Sequence, residues 1–392
     1  MTYNFDEIIE RRGTDSVKWN GSPAGAKPEG GRAELLPLWV ADMDFRSPQV
    51  VLDAIAKRVE HGLFGYTVHP ASYLAATREW LAMRHGWEVA SDSLVPVPGV
   101  VPSIQIAIEA FTHPGDKVII QPPVYHPFRL VVIANGRQVV ENPLRRNGPR
   151  YEMDFDQLAR VIDGDTRLLV LCSPHNPVGR VWQEEELRNL VELCADRGVI
   201  IVSDEIHSDL ILAGNRHLPT GLAAGAKADR VVTLVSATKS YNLSSLSCAA
   251  AVVPDSSLRS RFKRQIERAA LNHHNPLSLT ASEAAYRHGA DWLEALLAYL
   301  AANYRFLVAY LKEHAPALEV IPLEGTYLAW IDCSRTGLSD AEMTRRLLAE
   351  GVWLEEGTKY GTGGSGFQRL NFACPRATLE EGLSRLTRAL GG

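Results

Sequence analysis

A lysine and two hydroxyl side chains follow an apolar segment near the middle of the chain. Residues 231–235 are largely β-branched, which predicts a buried strand. Ser236, Thr238 and Lys239 come directly after it. A lysine held beside hydroxyls at the end of a strand can act as a Schiff-base amine, with the hydroxyls placed to bind a phosphate. Taken alone, this stretch more often forms a loop with a solvent-exposed lysine.

An amine that binds pyridoxal phosphate needs a carboxylate opposite the ring nitrogen of the cofactor. That carboxylate keeps the ring protonated through a charge-assisted hydrogen bond worth about 1.5–3 kcal/mol, and the protonated ring withdraws electrons from the substrate. Asp204 is the candidate, because it is the first acidic residue after a predicted buried strand at 199–202. Its alternative role is a helix N-cap or a structural ion pair.

The phosphate and the ring face also have candidate partners in the sequence. Backbone N–H groups at a helix N-terminus bind phosphate, and Gly99, Val100 and Val101 open a predicted helix. Tyr125 lies between prolines that stiffen its loop, and it is the candidate aromatic plate for the ring. Many helices begin with such residues and many tyrosines are simply packed, so each feature alone is weak.

Two further contacts, to the 3-oxygen of the ring and to the substrate carboxylate, complete the predicted site. Asn176 and His207 are the candidates to face the 3-oxygen. Arg369 precedes Leu370 and Asn371 in the C-terminal part and is the candidate for bidentate binding of the carboxylate. The alternative for the histidine is a packed, hydrogen-bonded side chain.

Short apolar segments alternate with amphipathic helical segments over most of the chain. Strands are predicted at 118–120, 168–172, 199–202 and 231–235, and helices at 51–60 and 184–197. This alternation predicts an α/β fold whose sheet is mostly parallel and has helices on both faces. The candidate residues fall just after strand ends, where open α/β sheets bind their ligands. A long helical stretch from 281 to about 314 then leads into a smaller α+β segment.

The length of 392 residues predicts more than one domain, because a single core stops growing at about 250–300 residues. The predicted divisions are an N-terminal arm at 1–47 that also contributes to the small domain, a large cofactor-binding domain at 48–285, and a small C-terminal domain at 286–392.

Composition and charge narrow the class of protein. The formal net charge of −5 gives no reason to expect nucleic acid or an anionic membrane as a partner. Five scattered cysteines without a C-x-x-C pair predict reduced thiols, and neither a disulfide framework nor a zinc site. No signal peptide is visible, and no apolar segment approaches the ~18 residues that span a bilayer. We therefore expect a cytoplasmic protein.

Four motifs in order carry a family resemblance. They are Asn176-Pro-x-Gly179, Asp204-Glu-Ile-His207, Ser236-x-Thr-Lys239 and Arg369-Leu-Asn371. Over nearly its whole length the chain resembles the fold-type I pyridoxal phosphate enzymes, the aminotransferase class I/II superfamily. It is most similar to the MalY/PatB group of cystathionine β-lyase-like C–S lyases, through Trp39-Val-Ala-Asp-Met-Asp-Phe45, Phe64-Gly-Tyr-Thr67, Pro123-Val-Tyr-His-Pro-Phe128 and the segment 172–182. The resemblance implies the aspartate aminotransferase-like fold.

The resemblance also implies roles for individual residues. Lys239 would carry the cofactor, Asp204 would pair with the ring nitrogen and Tyr125 would stack on the ring. Asn176 and His207 would face the 3-oxygen, and Arg369 would take the substrate carboxylate. Tyr66 would reach the phosphate of a neighbouring subunit, which implies a homodimer with shared active sites. Trp39, Phe45, Tyr360 and the loop 355–366 are expected to shape the pocket for the substrate side chain.

The sequence departs from the common aminotransferase pattern at two positions. Many aminotransferases of this superfamily bind the phosphate with an arginine eight residues after the lysine, where this chain has Ser247. A histidine rather than a tyrosine ends the motif that begins at Asp204. Both departures weaken a general aminotransferase assignment, and both occur in the lyase group.

Three functions follow from these residues. The first is β-elimination from L-cystathionine or another cysteine S-conjugate, which releases a thiol, pyruvate and ammonia. The second is an aminotransferase that uses the same cofactor with an amino acid and a 2-oxo acid. The third is a cofactor-binding regulatory protein that acts by contacting a partner, and the sequence shows no extra domain for that role.

Overall fold

A computed structural model describes residues 3–21, 35–212 and 214–391. Its largest sheet has seven strands, which lie in the order β2 (Leu94–Val97), β10 (Ala249–Val252), β9 (Val231–Val235), β8 (Ile200–Asp204), β7 (Thr166–Cys172), β3 (Lys117–Ile120) and β4 (Gln138–Glu141). Strand β10 is antiparallel to both of its neighbours, and the remaining pairs are parallel. The prediction of a mostly parallel sheet is confirmed.

Both faces of this sheet are covered by helices, because its central strands are apolar on both sides. Every residue of β8 and β9 is buried. One face packs against α4 (Val100–Phe111), α5 (Pro127–Ala134) and α9 (Ser256–Arg268). The other packs against α6 (Phe155–Val161), α7 (Glu184–Asp196) and α8 (Thr220–Ala223). Burial on both sides gives continuous β-branched sequences instead of alternating ones.

A smaller antiparallel sheet lies in the C-terminal part. Its strands are in the order β11 (Glu319–Val320), β12 (Leu328–Asp332), β15 (Phe367–Asn371) and β14 (Glu355–Glu356). Helices α12 (Asp340–Ala349) and α13 (Arg376–Leu390) belong to the same part of the chain. Near the N-terminus, β1 (Leu36–Pro37) pairs in parallel with β13 (Val352–Trp353), so the arm is tied to the C-terminal part. The predicted domain limits themselves stay a prediction.

The predicted helical stretch from 281 to 314 is two helices, not one. Helix α10 (Pro276–His288) ends before Gly289, and α11 (Ala290–His314) begins after it. A Cβ on Gly289 would lie 2.5 Å from Cε1 of Tyr241. The backbone between the two helices therefore packs directly against the buried ring of Tyr241, and a larger residue would not fit there. The remaining elements are α1 (Val17–Asn20), α2 (Gln49–Glu60), α3 (Ala71–His85), β5 (Arg145–Asn147) and β6 (Arg150–Glu152).

The described residues contain neither a membrane-spanning helix nor a cluster of metal-binding side chains. No helix among them is both long enough and apolar enough to span a bilayer. Within the same residues, no group of three or more histidine, cysteine, aspartate or glutamate side chains is arranged to hold a metal ion.

Candidate active site

A cavity of about 210 Å³ lies at the carboxyl ends of the central strands β7, β8 and β9. The last residues of β7 and β8 form part of its wall, and so does the turn that follows β9. The structure brings most of the sequence-predicted residues together here, namely Gly99, Val100, Val101, Tyr125, Asn176, Asp204, His207, Thr238 and Lys239. Parallel strands that end at one edge of a sheet bring distant segments of the chain together, which explains this convergence.

Lys239 lies in the cavity wall on the turn after β9. Its amine donates hydrogen bonds to the carbonyl oxygen of Ala41 at 2.5 Å and to Oγ of Ser244 at 3.2 Å. Burial lowers the pKa of Lys239 to about 8, against the attraction of two nearby carboxylates. A lysine with this pKa has a large neutral fraction near pH 8, and the neutral amine is the form that acts as nucleophile and base.

Asp204 and His207 keep unused hydrogen-bonding capacity in the same wall. The buried Asp204 carboxylate accepts a hydrogen bond from the backbone N–H of Ile206 at 3.1 Å, and burial raises the pKa of Asp204 to about 7. Nδ1 of His207 is buried and has no hydrogen-bond partner among the described residues. Burial, reinforced by the positive charge of Lys239, lowers the pKa of His207 to about 3. A ligand group that donates a hydrogen bond to the Asp204 carboxylate would therefore bind favourably here.

The N-terminus of α4 opens into the cavity beside two hydroxyl groups. Gly99 precedes the helix with φ +157° and ψ 168°, a conformation that only glycine adopts readily, and no side chain caps the helix. Thr238 lines the cavity, and its Oγ1 lies 2.8 Å from Oγ of Ser236, which donates to the carbonyl of Cys248 at 2.6 Å. Ser247 also lies in this wall. An uncapped helix N-terminus with nearby hydroxyls favours a phosphate.

Arg369 reaches the site from strand β15 of the smaller sheet. Its Nη1 donates to Oδ1 of Asn176 at 3.0 Å and its Nη2 to the carbonyl of Trp39 at 2.7 Å. Nε of this buried side chain has no partner within the described part of the chain. The guanidinium also lies over the ring of Tyr360, 5.3 Å from its centroid. A buried arginine with an unused donor beside a cavity is suited to bind a carboxylate.

Tyr125 lies in the wall because its loop is hydrogen-bonded to the segment after β7. Its backbone N–H donates to the carbonyl of Asn176 at 3.0 Å. Burial raises the pKa of Tyr125, and the negative charge of Asp204 acts in the same direction. The phenol therefore stays neutral at ordinary pH, and its ring is available for stacking.

Several predicted residues do not line the cavity. Ser236 and Arg369 are hydrogen-bonded to residues of its wall, Thr238 and Asn176, and the Tyr360 ring lies against the Arg369 guanidinium. Tyr66 is 97% exposed, and its ring packs loosely on that of His273, with centroids 5.3 Å apart. The Trp39 ring stacks on Trp353, and its backbone carbonyl accepts a hydrogen bond from Arg369. Phe45 does not line the cavity either, because its ring packs in the arm against Phe5 and Tyr299, and its contribution to the substrate pocket stays a prediction.

The sequence analysis missed several groups around the amine. The carbonyl oxygen of Ala41 accepts from both Lys239 and the hydroxyl of Tyr327, the latter at 3.0 Å. Ser244 and Cys172 line the cavity as well. Ala41 and Cys172 lie in stretches that carried the family resemblance, and Ser244 follows Lys239 by five residues, but no residue type among them indicated a contact with the amine. The other contacts come from distant segments and become visible only in the folded chain.

The groups in this wall fit pyridoxal phosphate. A buried carboxylate with spare accepting capacity suits the protonated ring nitrogen, and the uncapped N-terminus of α4 with its two hydroxyls suits the phosphate. Lys239 has an amine of lowered pKa in the same cavity. Asp204, Lys239 and the N-terminus of α4 therefore match the ring nitrogen, the aldehyde and the phosphate of this cofactor, in that order.

Comparisons with known proteins point in the same direction. The family model for aminotransferases of class I and II matches residues 33–386. The cystathionine β-lyase PatB of Bacillus subtilis (strain 168) is 44% identical to this chain over 391 residues, which cover 99% of this chain and 100% of PatB. The predicted resemblance to the MalY/PatB group is thereby confirmed.

Two solved structures have closely similar folds. A putative aminotransferase from Clostridium difficile 630, crystallised with pyridoxal phosphate bound, has a TM-score of 0.95 and 40% sequence identity, covering 99% of this chain and 100% of its own. The pyridoxal phosphate-bound C–S lyase of Staphylococcus hominis has a TM-score of 0.92 and 33% identity, covering 100% of this chain and 99% of its own. Both similarities confirm the predicted fold.

Proposed function

The chain belongs to the family of class I and II aminotransferases, and we propose that this member is a pyridoxal phosphate-dependent C–S β-lyase. It cleaves L-cystathionine or a related cysteine S-conjugate into a thiol, pyruvate and ammonia. The observation that carries the proposal is the 44% identity to a cystathionine β-lyase over the full length of both chains. The cavity that holds Lys239 and Asp204 together supports it independently.

We assign the cofactor contacts to residues that line this cavity and to Ser236, whose hydroxyl lies 2.8 Å from that of Thr238. Lys239 would hold the cofactor covalently, Asp204 would accept the ring N–H, and Asn176 and His207 would face the 3-oxygen. The N-terminus of α4 at 99–101, with Ser236 and Thr238, would bind the phosphate. Tyr125 would cover one face of the ring. When bound, the cofactor supplies an electron-withdrawing ring that stabilises negative charge at the substrate Cα.

The protein's own groups then account for proton movement and for orientation of the substrate. Arg369 binds the substrate carboxylate, with Nε as the donor that has no partner among the described residues. The neutral Lys239 amine removes the Cα proton, because its pKa of about 8 leaves it partly deprotonated at mildly alkaline pH. Cleavage of the Cβ–S bond releases the thiolate. Water then completes the reaction to pyruvate and ammonia.

A direct assay tests this proposal. The cofactor-loaded protein should release equal amounts of pyruvate and homocysteine from L-cystathionine. Lys239→Ala should lower the rate by at least about 1000-fold, because it removes both the covalent anchor and the base. Circular dichroism of the variant checks that the fold is retained. Absence of pyruvate and thiol with cystathionine and with a panel of S-alkylcysteines would refute the lyase assignment.

An aminotransferase is the second candidate, favoured by the similarity to the Clostridium difficile protein, which is described as a putative aminotransferase. The two reactions differ in the fate of the substrate. A transaminase transfers the amino group to a 2-oxo acid and releases no thiol, whereas a lyase consumes no 2-oxo acid. Single-turnover experiments with alanine and 2-oxoglutarate would show which reaction dominates.

We also propose a homodimer whose active sites are completed across the interface, and a cytoplasmic location. The exposed apolar side chains of Leu63, Phe64, Tyr66 and Val68 support the dimer, because they form one short segment beside the turn near His273. Tyr66 would extend from this segment to the phosphate of the partner. The five free, buried cysteines support a reducing compartment.

A further inference from the structure

Ser244 is the side-chain acceptor closest to the reactive amine. It begins the short turn Ser244–Leu246, and its Oγ accepts a hydrogen bond from Nζ of Lys239 at 3.2 Å. The second acceptor is the carbonyl oxygen of Ala41 at 2.5 Å. A neutral amine has two N–H bonds and one lone pair. These two acceptors engage both N–H bonds, so the lone pair is the position on the nitrogen that remains available.

A clamp of hydrogen bonds fixes the Ala41 acceptor relative to this turn. Asn242 has a left-handed backbone, with φ +56°, and its Nδ2 donates to the carbonyls of Met43 at 3.0 Å and Phe45 at 2.8 Å. Its Oδ1 accepts from the backbone N–H of Met43 at 3.1 Å. The clamp ties the segment that contains Ala41 to the turn that contains Lys239 and Ser244. Both acceptors are therefore held in one local structure.

We propose that Ser244 is a positioning residue that orients the Lys239 amine for removal of the substrate Cα proton. The inference rests on the proposed β-elimination. The Lys239 lone pair takes the proton, and the electrons of the Cα–H bond form the Cα–Cβ double bond as the C–S bond breaks and the thiolate leaves. The resulting ammonium has three N–H bonds. Two of them keep their acceptors, Ala41 and Ser244, and the third carries the proton taken from Cα.

Ser244 also affects the basicity of the amine. An oxygen that accepts a hydrogen bond from an ammonium group stabilises its charged form. Removing that oxygen should lower the pKa of Lys239 and allow the amine to rotate away from its productive orientation. Both effects weaken proton abstraction, and neither changes the groups assigned to bind the substrate carboxylate.

The test compares three variants of the holoenzyme. Ser244→Ala removes the acceptor, Ser244→Thr keeps a hydroxyl, and Ser245→Ala is the matched control because Ser245 is the next, exposed residue of the same turn. With L-cystathionine, we expect Ser244→Ala to lower kcat about 10-fold and to change KM by less than about twofold. The acidic limb of the kcat–pH profile should move to lower pH, and Ser244→Thr should restore most of the rate.

A second readout follows the proton directly. With Cα-deuterated substrate, the isotope effect on kcat should be larger in Ser244→Ala than in the unsubstituted enzyme, because proton removal becomes more strongly rate-limiting. An unchanged kcat and isotope effect in Ser244→Ala would overturn the inference. Equal losses in Ser244→Ala and Ser245→Ala would also overturn it, because they would show a general disturbance of the turn.

Failure of the proposed function gives a different pattern. If the unsubstituted protein releases no pyruvate, the lyase proposal fails, but exchange of the Cα proton of an amino acid with D₂O still reports on Lys239. Slower exchange in Ser244→Ala, seen by NMR, would then support the positioning role. An exchange rate equal to that of the unsubstituted protein would refute that role.

Discussion

Strand β8 and the turn after it place acidic residues in two contrasting environments. On the cavity side, the Asp204 carboxylate accepts a backbone N–H from Ile206, and Nδ1 of His207 has no partner among the described residues. On the other side, Glu205 and Asp209 are buried just as deeply. Glu205 accepts hydrogen bonds from Oγ of Ser203 at 2.9 Å and from the backbone N–H of Thr220 at 2.8 Å, and Nε2 of His217 lies 2.8 Å from it.

Asp209 is paired as fully as Glu205. Its carboxylate accepts from Nε1 of Trp80 at 3.0 Å and from Oγ of Ser240 at 2.9 Å, and Nε2 of His85 lies 2.9 Å away. Burial acts to raise the pKa of Asp209, but these hydrogen bonds and His85 lower it overall. Asp204 experiences similar burial with fewer donors, and its pKa rises to about 7. The pKa values of the two carboxylates differ because of their hydrogen-bond partners, and not because of how deeply they are buried.

This contrast distinguishes a structural site from a functional one. A fully paired carboxylate stabilises the fold and has no capacity left for a ligand. An underpaired carboxylate costs stability in the free protein and gains its partner when a ligand binds. Substitutions on the two sides should therefore affect different properties: those on the cavity side should affect activity, and those on the other side should affect stability.

Asp204→Asn should have the largest effect, and on activity. The substituted side chain cannot keep the cofactor ring protonated, so we expect the rate of pyruvate release to fall about 100- to 1000-fold. The melting temperature of the cofactor-free protein should not fall, because no well-paired group is lost. If the variant keeps its activity within a few-fold of that of the unsubstituted enzyme, Asp204 does not pair with the cofactor ring.

Asp209→Asn should show the opposite pattern. It removes a buried negative charge that is hydrogen-bonded to three groups, so we expect the free energy of unfolding to fall by about 2–4 kcal/mol. The rate per folded, cofactor-loaded protomer should fall much less than in Asp204→Asn. Thermal and denaturant unfolding of both variants, followed by activity assays on the folded fraction, would check this. A variant at position 209 that is stable but inactive would contradict the assignment.

The pH dependence of stability should show the smallest effect. The folded-state pKa of Asp204, about 7, is above its unfolded value near 3.9, so the folded protein binds more protons between these values. Stability of the cofactor-free protein should therefore decrease as pH rises through this window, by about 2–3 kcal/mol from this group between pH 5 and 8. The stabilising contribution of Asp204 is present in full at pH values below its unfolded-state pKa, and it is lost as the pH rises through its folded-state pKa.

Asp204→Asn provides the control for that titration. Its side chain does not ionise, so the difference in unfolding free energy between variant and unsubstituted protein should grow in favour of the variant as pH rises. Parallel curves would show that Asp204 is ionised throughout and that its environment is more polar than its burial indicates. Adding cofactor should reduce the difference, because the ring N–H would pair with the carboxylate.

Much of this site could be predicted from the sequence because its residues occupy fixed places relative to strands. The β-branched segments at 199–202 and 231–235 predicted buried strands, and Asp204 and Lys239 come shortly after these segments. Parallel strands end at one edge, so residues after successive strands must converge there. The order of four motifs then identified the family without any coordinates.

The break at Gly289 and the packing of the Phe45 ring could not be predicted in the same way. The prediction continued one helix through Gly289. In the structure α10 ends before this residue, and the close approach of Tyr241 leaves no room for a Cβ there. Phe45 lies in a stretch typical of the lyase group, but its ring packs with Phe5 and Tyr299 away from the cavity. Packing partners distant in sequence decide both outcomes.

The sequence by itself determined the fold class, the family and the identity of Lys239, Asp204 and Arg369 as candidate site residues, because these depend on residue type and local order. Only the tertiary structure decided which groups surround them. The Ala41 carbonyl contacts Lys239 across 198 positions of the chain, and Asp209 gains Trp80 and His85 from a helix more than 120 positions away. Adjacent acids such as Asp204 and Glu205 look alike in the sequence, and they differ because folding gives donors to one and a cavity to the other.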